Sequence, residues 1–305
     1  MKKRRFIDGE INHIYQRTVS GFNIFYEIED YLVYYTIFSM AAIRYGVDVY
    51  GLCLMIDHIH SLCAFKDRSS FSKFISYVSK VFVQEYNQEH NRCGALFCEV
   101  FGSAPKLGMK LLRTAIAYLF NNPVERHLCR YAQEYRWNFL AYGNSNHPFS
   151  DPLVLRNASF ALRRAVAEVD GSRERCSHLT YSQLKRLLSS VDNREKEQLI
   201  DYIIVKYSVV QYDFLKTTCY EGYENMIIAI NSNAGSEYDI DEPKWGRSDS
   251  IYRDLYKFVH ARGFSSAGEV ISLGPDEKIS LHNAMIQATK ATSYQACKYL
   301  HLRVL

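Results

Sequence analysis

The stretch Leu54–Leu62, "LMIDHIHSL", sets two histidines, His58 and His60, around one isoleucine at the end of an apolar run. On a strand, residues two apart point to the same face, so both imidazoles are presented side by side. That is a chelating arrangement for a divalent ion, with room left for water, a third protein ligand and a phosphate oxygen. The triplet alone is short enough to arise by chance, and Asp57 beside it reads equally well as a turn residue. Its meaning depends on what the rest of the chain supplies.

Around it, "VDVYGLCLM" is rich in strand formers and "HIHSLCAF" resumes the extended pattern after a break at Asp57, which gives two strands. Upstream, residues 11–19, "INHIYQRTV", read as an opening strand. From Glu27 to Tyr45 the positions Ile28, Leu32, Tyr35, Phe38 and Ala42 recur at helical spacing, so an amphipathic helix is expected there, ended by Gly46. Downstream, a helix from Ser69 or Ser70 to about Glu89 carries the stripe Phe71, Phe74, Ile75, Val78 and Phe82, with a serine as N-cap. "GALFCEVFG" reads as a short fourth strand. A last helix runs from about Lys106 through "LGMKLLRTAIAYLFNN" and stops at Pro123. The first six elements predict an α+β fold with a ferredoxin-like split βαβ antiparallel sheet and two helices on one face. The seventh is left to cover the other face.

Beyond Tyr142 the texture changes. "GNSNHPFSDP" is a polar hinge bearing glycine and proline, which divides the chain into residues 1–143 and a mostly α-helical part, 151–305. Helices are expected over "SFALRRAVAEV", "TYSQLKRLLSSV", "NREKEQLIDYIIVKYS" and "GYENMIIAI", followed by an acidic loop, "NSNAGSEYDIDEPKWG". The end of the chain reads as two helices with a turn near Ala291 to Ser293. That is helix-turn-helix spacing, with Ser293, Tyr294, Gln295 and Lys298 available to touch DNA. Two amphipathic helices closing a bundle give the same pattern, and the balanced charge of this half favours them.

Composition sets the bounds. Hydrophobic residues make up 48% and charged residues 23% of the 305, ordinary values for a chain with a well-buried core. No apolar run approaches the roughly 18 residues of a membrane span. The basic start, "MKKRRFIDGEINH", lacks the apolar stretch of a secretory signal, so a cytoplasmic location is expected. Eight cysteines lie scattered without a C-x-x-C pair, which argues for reduced, mostly buried thiols and against a zinc module. The net charge of +4 sits entirely in the first half, where 17 Lys and Arg face 13 Asp and Glu, against 20 and 20 in residues 151–305. Such an excess is compatible with a nucleic-acid partner without requiring one.

A second motif supplies a nucleophile. In "AIAYLFNNPVERHL", Tyr118 and Asn122 are four apart and share a helix face. A tyrosine hydroxyl attacks a phosphodiester when a metal withdraws charge from the phosphate, and the Asn122 amide oxygen is a suitable third ligand. In a chain with 24 tyrosines, a packed aromatic is the plain alternative.

Together these motifs resemble the REP-associated tyrosine transposases, members of the single-tyrosine HUH group related to small insertion-sequence transposases. The family's "LM-x-x-H-x-H-x-L" is met by "LMIDHIHSL", and its "Y-[IL]-x-x-N-P-V" by "YLFNNPV" from Tyr118 to Val124. Its "H-x-x-x-R" and following phenylalanine are met by His13, Arg17 and Phe25, and its "G-x-L-F-Q-x-x-F-x-S" by "GALFCEVFGS". "YRWNFLAYG" resembles the family's closing motif without two serines. Asp57 stands where asparagine is usual, and Cys98 where glutamine is common. The resemblance covers about residues 6 to 142.

It implies an HUH nuclease fold and an enzyme in which His58, His60 and Asn122 hold Mg²⁺ or Mn²⁺ on the scissile phosphate of single-stranded DNA. Tyr118 would form a 5′-phosphotyrosine and release a 3′-hydroxyl, which later reseals DNA without ATP. The chain accordingly has no G-x-x-x-x-G-K-[ST]. Palindromic hairpin DNA is the implied partner, nucleoid association the implied location, and both homodimer and monomer occur in the group. DNA phosphates need cations, for which Lys2 to Arg5, Arg17, Lys106, Lys110 and Arg113 are candidates, with His13 near the site by family position. A domesticated protein that binds repeats without cutting is the alternative. A relaxase or replication initiator would show a longer His motif and a helicase or primase partner domain.

Overall fold

The computed structural model describes residues 6–98, 101–232 and 248–302. Lys2 to Arg5 and most of the acidic loop lie outside them. Strands β1 (Ile11–Arg17), β2 (Asp48–Met55), β3 (His58–Ala64) and β4 (Gly102–Pro105) form one sheet in the order β2-β3-β1-β4, with every neighbouring pair antiparallel. Helices α1 (Ile28–Tyr45) and α2 (Arg68–Glu89) pack together on one face, and α3 (Gly108–Glu125) lies on β2 and β3 at the other. This is the expected split βαβ arrangement of an α+β fold. The rest is helical: α4 (Phe160–Glu174), α5 (Tyr181–Ser189), α6 (Asn193–Tyr207), α7 (Tyr212–Phe214), α8 (Tyr223–Ser232), α9 (Ile251–Ala261), α10 (Ala267–Ile271), α11 (Pro275–Ala288) and α12 (Ser293–Leu300).

Strand alternation splits the core in two. Ile14, Leu52, Leu54 and Ile59 face α1 and α2, and this cluster continues into α4, α5 and α6. Cys53, Met55 and Leu62 face α3, and their cluster continues into α8, α9, α11 and α12. Each half of the chain therefore contributes to both cores. Gly51 sits at an irregularity in β2, where an added Cβ would stand 3.2 Å from the Leu119 side chain, so glycine lets α3 lie close on the sheet.

Five details differ from the sequence expectations. Helix α1 is buried on all sides from Asp30 to Ala42, because α5 and α6 cover the face that an amphipathic helix would give to water. The N-cap of α2 is Asp67, whose carboxylate accepts the Ser70 N–H at 2.7 Å. The fourth strand begins at Gly102, since β1 ends at Arg17 and leaves Phe97 only a single bridge to Thr18. Helix α3 runs through Pro123 to Glu125. All eight cysteines are free thiols, but Cys93, Cys98 and Cys176 are exposed, so burial holds for Cys53, Cys63, Cys219 and Cys297. Among the described residues, no helix is long and apolar enough to cross a membrane.

Candidate active site

The register of β1 against β3 sets Arg17 opposite His58, Tyr15 opposite His60 and His13 opposite Leu62. His13 and His60 are thus diagonal neighbours on the face that α3 covers. Their rings stack with centroids 5.2 Å apart, and His13 Nε2 is 3.0 Å from His60 Nδ1. His58 stands perpendicular to His60 at 4.9 Å. From α3, anchored on the sheet by Leu112, Ile116 and Leu119, the Tyr118 ring meets His60 edge-on at 5.5 Å and His13 at 5.6 Å. Three imidazoles and a phenol, from two strands and a distant helix, converge within one chain. All four side chains are buried.

Asn122, one turn beyond Tyr118, is buried as well, and its Nδ2 donates to the Tyr118 carbonyl at 3.0 Å. Its Oδ1 is then the amide atom left to accept or ligate. Burial holds His60 well below the usual histidine range, with the charges of His58 and Arg17 acting the same way, so the ring is the neutral form that a metal takes. His58 donates Nδ1–H to Asp57 Oδ1 at 2.5 Å. That fixes its tautomer and leaves Nε2, which is buried and without a hydrogen-bond partner among the described residues. A histidine oriented by a carboxylate in this way is suited to a metal. No group of three or more His, Cys, Asp and Glu side chains among the described residues could hold one by itself. Two imidazoles alone would leave a bound ion to be completed by other donors, such as an amide oxygen and oxygens of the substrate or of water.

Asp57 does more than turn the chain. Its other oxygen pairs with Lys298 of α12. Burial opposes its ionisation, but the Lys298 ammonium and His58 outweigh that and hold the carboxyl well below the usual range. The pair closes one wall of a cavity of about 320 Å³ that also takes in His58, Arg17, Arg126, Asp249 and Cys98. Arg17 is exposed at this cavity. Tyr294, Gln295 and Lys298, read from sequence as DNA-facing, line it too, while α12 is buried from Gln295 to Leu300. Ser293 instead meets His282 Nε2 at 2.9 Å.

The cations on α3 are placed elsewhere. Lys110 and Arg113 are exposed, and the Arg113 guanidinium lies over the Tyr220 ring at 5.7 Å. Five residues separate Arg113 from Tyr118, roughly 140° around the helix. Sequence reasoning missed Arg126, whose signal was present: it follows Asn122 by four, as Asn122 follows Tyr118, so all three favour one face. It also missed Asp249 and Tyr252, which reach the cavity from α9 and the residues before it and have no motif to mark them.

No curated protein matches the chain. A solved structure of a REP-associated tyrosine transposase bound to a REP hairpin shares 13% identity with it, over 45% of this chain and 80% of that one, at a TM-score of 0.36. The profile of the family described as "Transposase IS200 like" matches residues 13–105. That span holds His13, Arg17, His58 and His60 and ends before α3. Over residues 13–105 the chain is therefore similar to IS200-like transposases, the insertion-sequence group that its motifs resemble.

Proposed function

We propose that the protein cleaves and rejoins single-stranded DNA, hairpin-forming repeats above all, with Tyr118 as nucleophile. The observation that supports this most directly is the Tyr118 ring set edge-on against both His60 and His13 in the same chain. The IS200-like match over residues 13–105 supports the same class of reaction.

In this reading His58, His60 and Asn122 hold a Mg²⁺ or Mn²⁺ ion, which supplies charge stabilisation at the scissile phosphate. The residues of the chain do the rest. Asp57 keeps His58 in the ligating tautomer, and His13 orients His60 through its ring nitrogen. Tyr118 Oη bonds to phosphorus as the bond to the 3′ oxygen breaks. One proton leaves the phenol and one is taken up by the 3′ oxygen, so the exchange conserves bond energy and reverses when a 3′-hydroxyl attacks the tyrosine linkage. Arg17 and Arg126 neutralise neighbouring phosphates of the strand.

The test is a denaturing gel. Protein incubated with Mn²⁺ and a labelled hairpin oligonucleotide is expected to give a covalent protein–DNA band, and Tyr118→Phe none. A Tyr118→Phe protein that still forms the band would refute the assignment. Binding without any band in the wild-type protein would favour the non-cleaving repeat binder.

A further inference from the structure

A second cavity, of about 440 Å³, adjoins the site. Tyr252 lines both cavities, and Ile56, next to Asp57, lines this one. Its walls are aromatic, with Tyr31, Tyr135, Trp137 and Tyr299 beside Tyr252. Two exposed cations, Arg253 and Lys257, belong to the same lining. Its volume is that of an ordinary small-molecule pocket.

One polar side chain among the residues lining this cavity makes no hydrogen bond within the described residues. Asn23 is fully buried, and neither its Nδ2 nor its Oδ1 has a hydrogen-bond partner among the described residues. The hydroxyl of Tyr299, another residue lining the cavity, is buried and lacks one too. Asn23 is nonetheless held firmly. Its N–H donates to the Lys298 carbonyl at 3.2 Å, and its carbonyl accepts His301 Nε2–H at 2.7 Å. The next residue, Ile24, donates to the Ile56 carbonyl at 2.9 Å. A buried polar group without a bond is costly to a fold, and such groups call for a partner that completes them.

The chemistry of the cavity names that partner. Flat apolar walls suit a π-face, an amide offers one donor and one acceptor in a plane, and cations flank both this cavity and its neighbour. A nucleobase joined to a phosphate backbone has all three complements, and the edge that pairs with an amide in bidentate fashion is adenine N6 and N7. We infer that this cavity receives one unpaired base of the DNA strand, an adenine, stacked against the aromatic walls and read by Asn23 and Tyr299. The inference rests on the DNA-processing function proposed above, and it assigns specificity to residues outside the nuclease motifs.

The test uses the full chain as Tyr118→Phe, so that bound DNA is not cut, to select from a pool of hairpin oligonucleotides with randomised single-stranded flanks. The parent is expected to fix adenine at one flank position. Replacing that base by an abasic site should weaken binding about tenfold. Adding Asn23→Ala should lose the preference, bind about tenfold more weakly and gain nothing further from the abasic change. Tyr299→Phe, which keeps the ring, should bind severalfold more weakly and decides the matter if Asn23→Ala fails to fold. The thermal midpoint of Asn23→Ala should equal or exceed the parent's, as a purely structural asparagine would not allow. A flat selection, an adenine kept by both variants, or no binding of single-stranded DNA would overturn the pocket. A fixed adenine together with a wild-type protein that forms no covalent band would leave the pocket standing and remove the cleavage reading alone.

Discussion

Lys298, on the last helix, pairs with Asp57 at the turn before the histidine strand, and the other oxygen of Asp57 accepts the His58 Nδ1–H. A residue 241 positions away thereby sets the tautomer of a proposed metal ligand. The side chains of the pair are 9% and 17% exposed, so they are largely out of water. Removing one partner strands the other: Lys298→Met should cost about 3 kcal/mol in chemical denaturation. The double variant Asp57→Asn with Lys298→Met should recover most of that loss. Additive effects in the double variant would show that the two side chains do not depend on each other.

His13 acts through His60. Replacing it with phenylalanine keeps a flat ring but removes the nitrogen that meets His60 Nδ1 at 3.0 Å. Loss of such an orienting contact typically weakens metal affinity by about 10- to 100-fold. Titration of Mn²⁺ into His13→Phe and wild type measures this directly. Equal affinities would place His13 in the core alone.

Gly102 admits no side chain. A Cβ there would stand 1.9 Å from the Tyr15 ring, across the β1–β4 pair. Gly102→Ala should destabilise by about 1–3 kcal/mol through overpacking, and Tyr15→Ala in the same chain should relieve most of it. Denaturation midpoints of the two single variants and the double variant give the answer. An additive double variant would show the close approach to be irrelevant.

Residues 1–150 alone should not fold. The buried Asp30 carboxylate accepts the Tyr181 hydroxyl at 2.8 Å, Tyr35 donates to the Ile204 carbonyl at 2.8 Å, and Tyr142 donates to Asp201 at 2.7 Å. Truncation would strand these groups and expose the outer face of α1, a large apolar surface of the kind that drives aggregation. A fragment of residues 1–150 with the dispersed amide spectrum and cooperative melting of a folded domain would contradict this.

Much of the first half was legible because its signals are local. The period of two through His58 and His60, the period near 3.6 through Phe71, Phe74, Val78 and Phe82, and the four-residue step from Tyr118 to Asn122 each dictate which side chains share a face. Strand preferences alone put the fourth strand too early, because its residues satisfy them whether or not a partner lies beside them, and the length of β1 decides where pairing occurs. The amphipathic pattern of α1 does not show that its outer face is covered, because nothing in its own sequence records that α5 and α6 will pack there.

The sequence by itself determined which chemistry the chain carries: a pair of imidazoles on one strand face, and a phenol and an amide on one helix face. Only the tertiary structure decided how those faces meet, that His13 joins His60, and that Lys298, Arg126 and Tyr252 arrive at the same place. The physical reason is that periodicity fixes the direction of a side chain relative to its own element, whereas proximity between elements comes from burying their apolar surfaces against one another, a non-directional force that leaves no local mark.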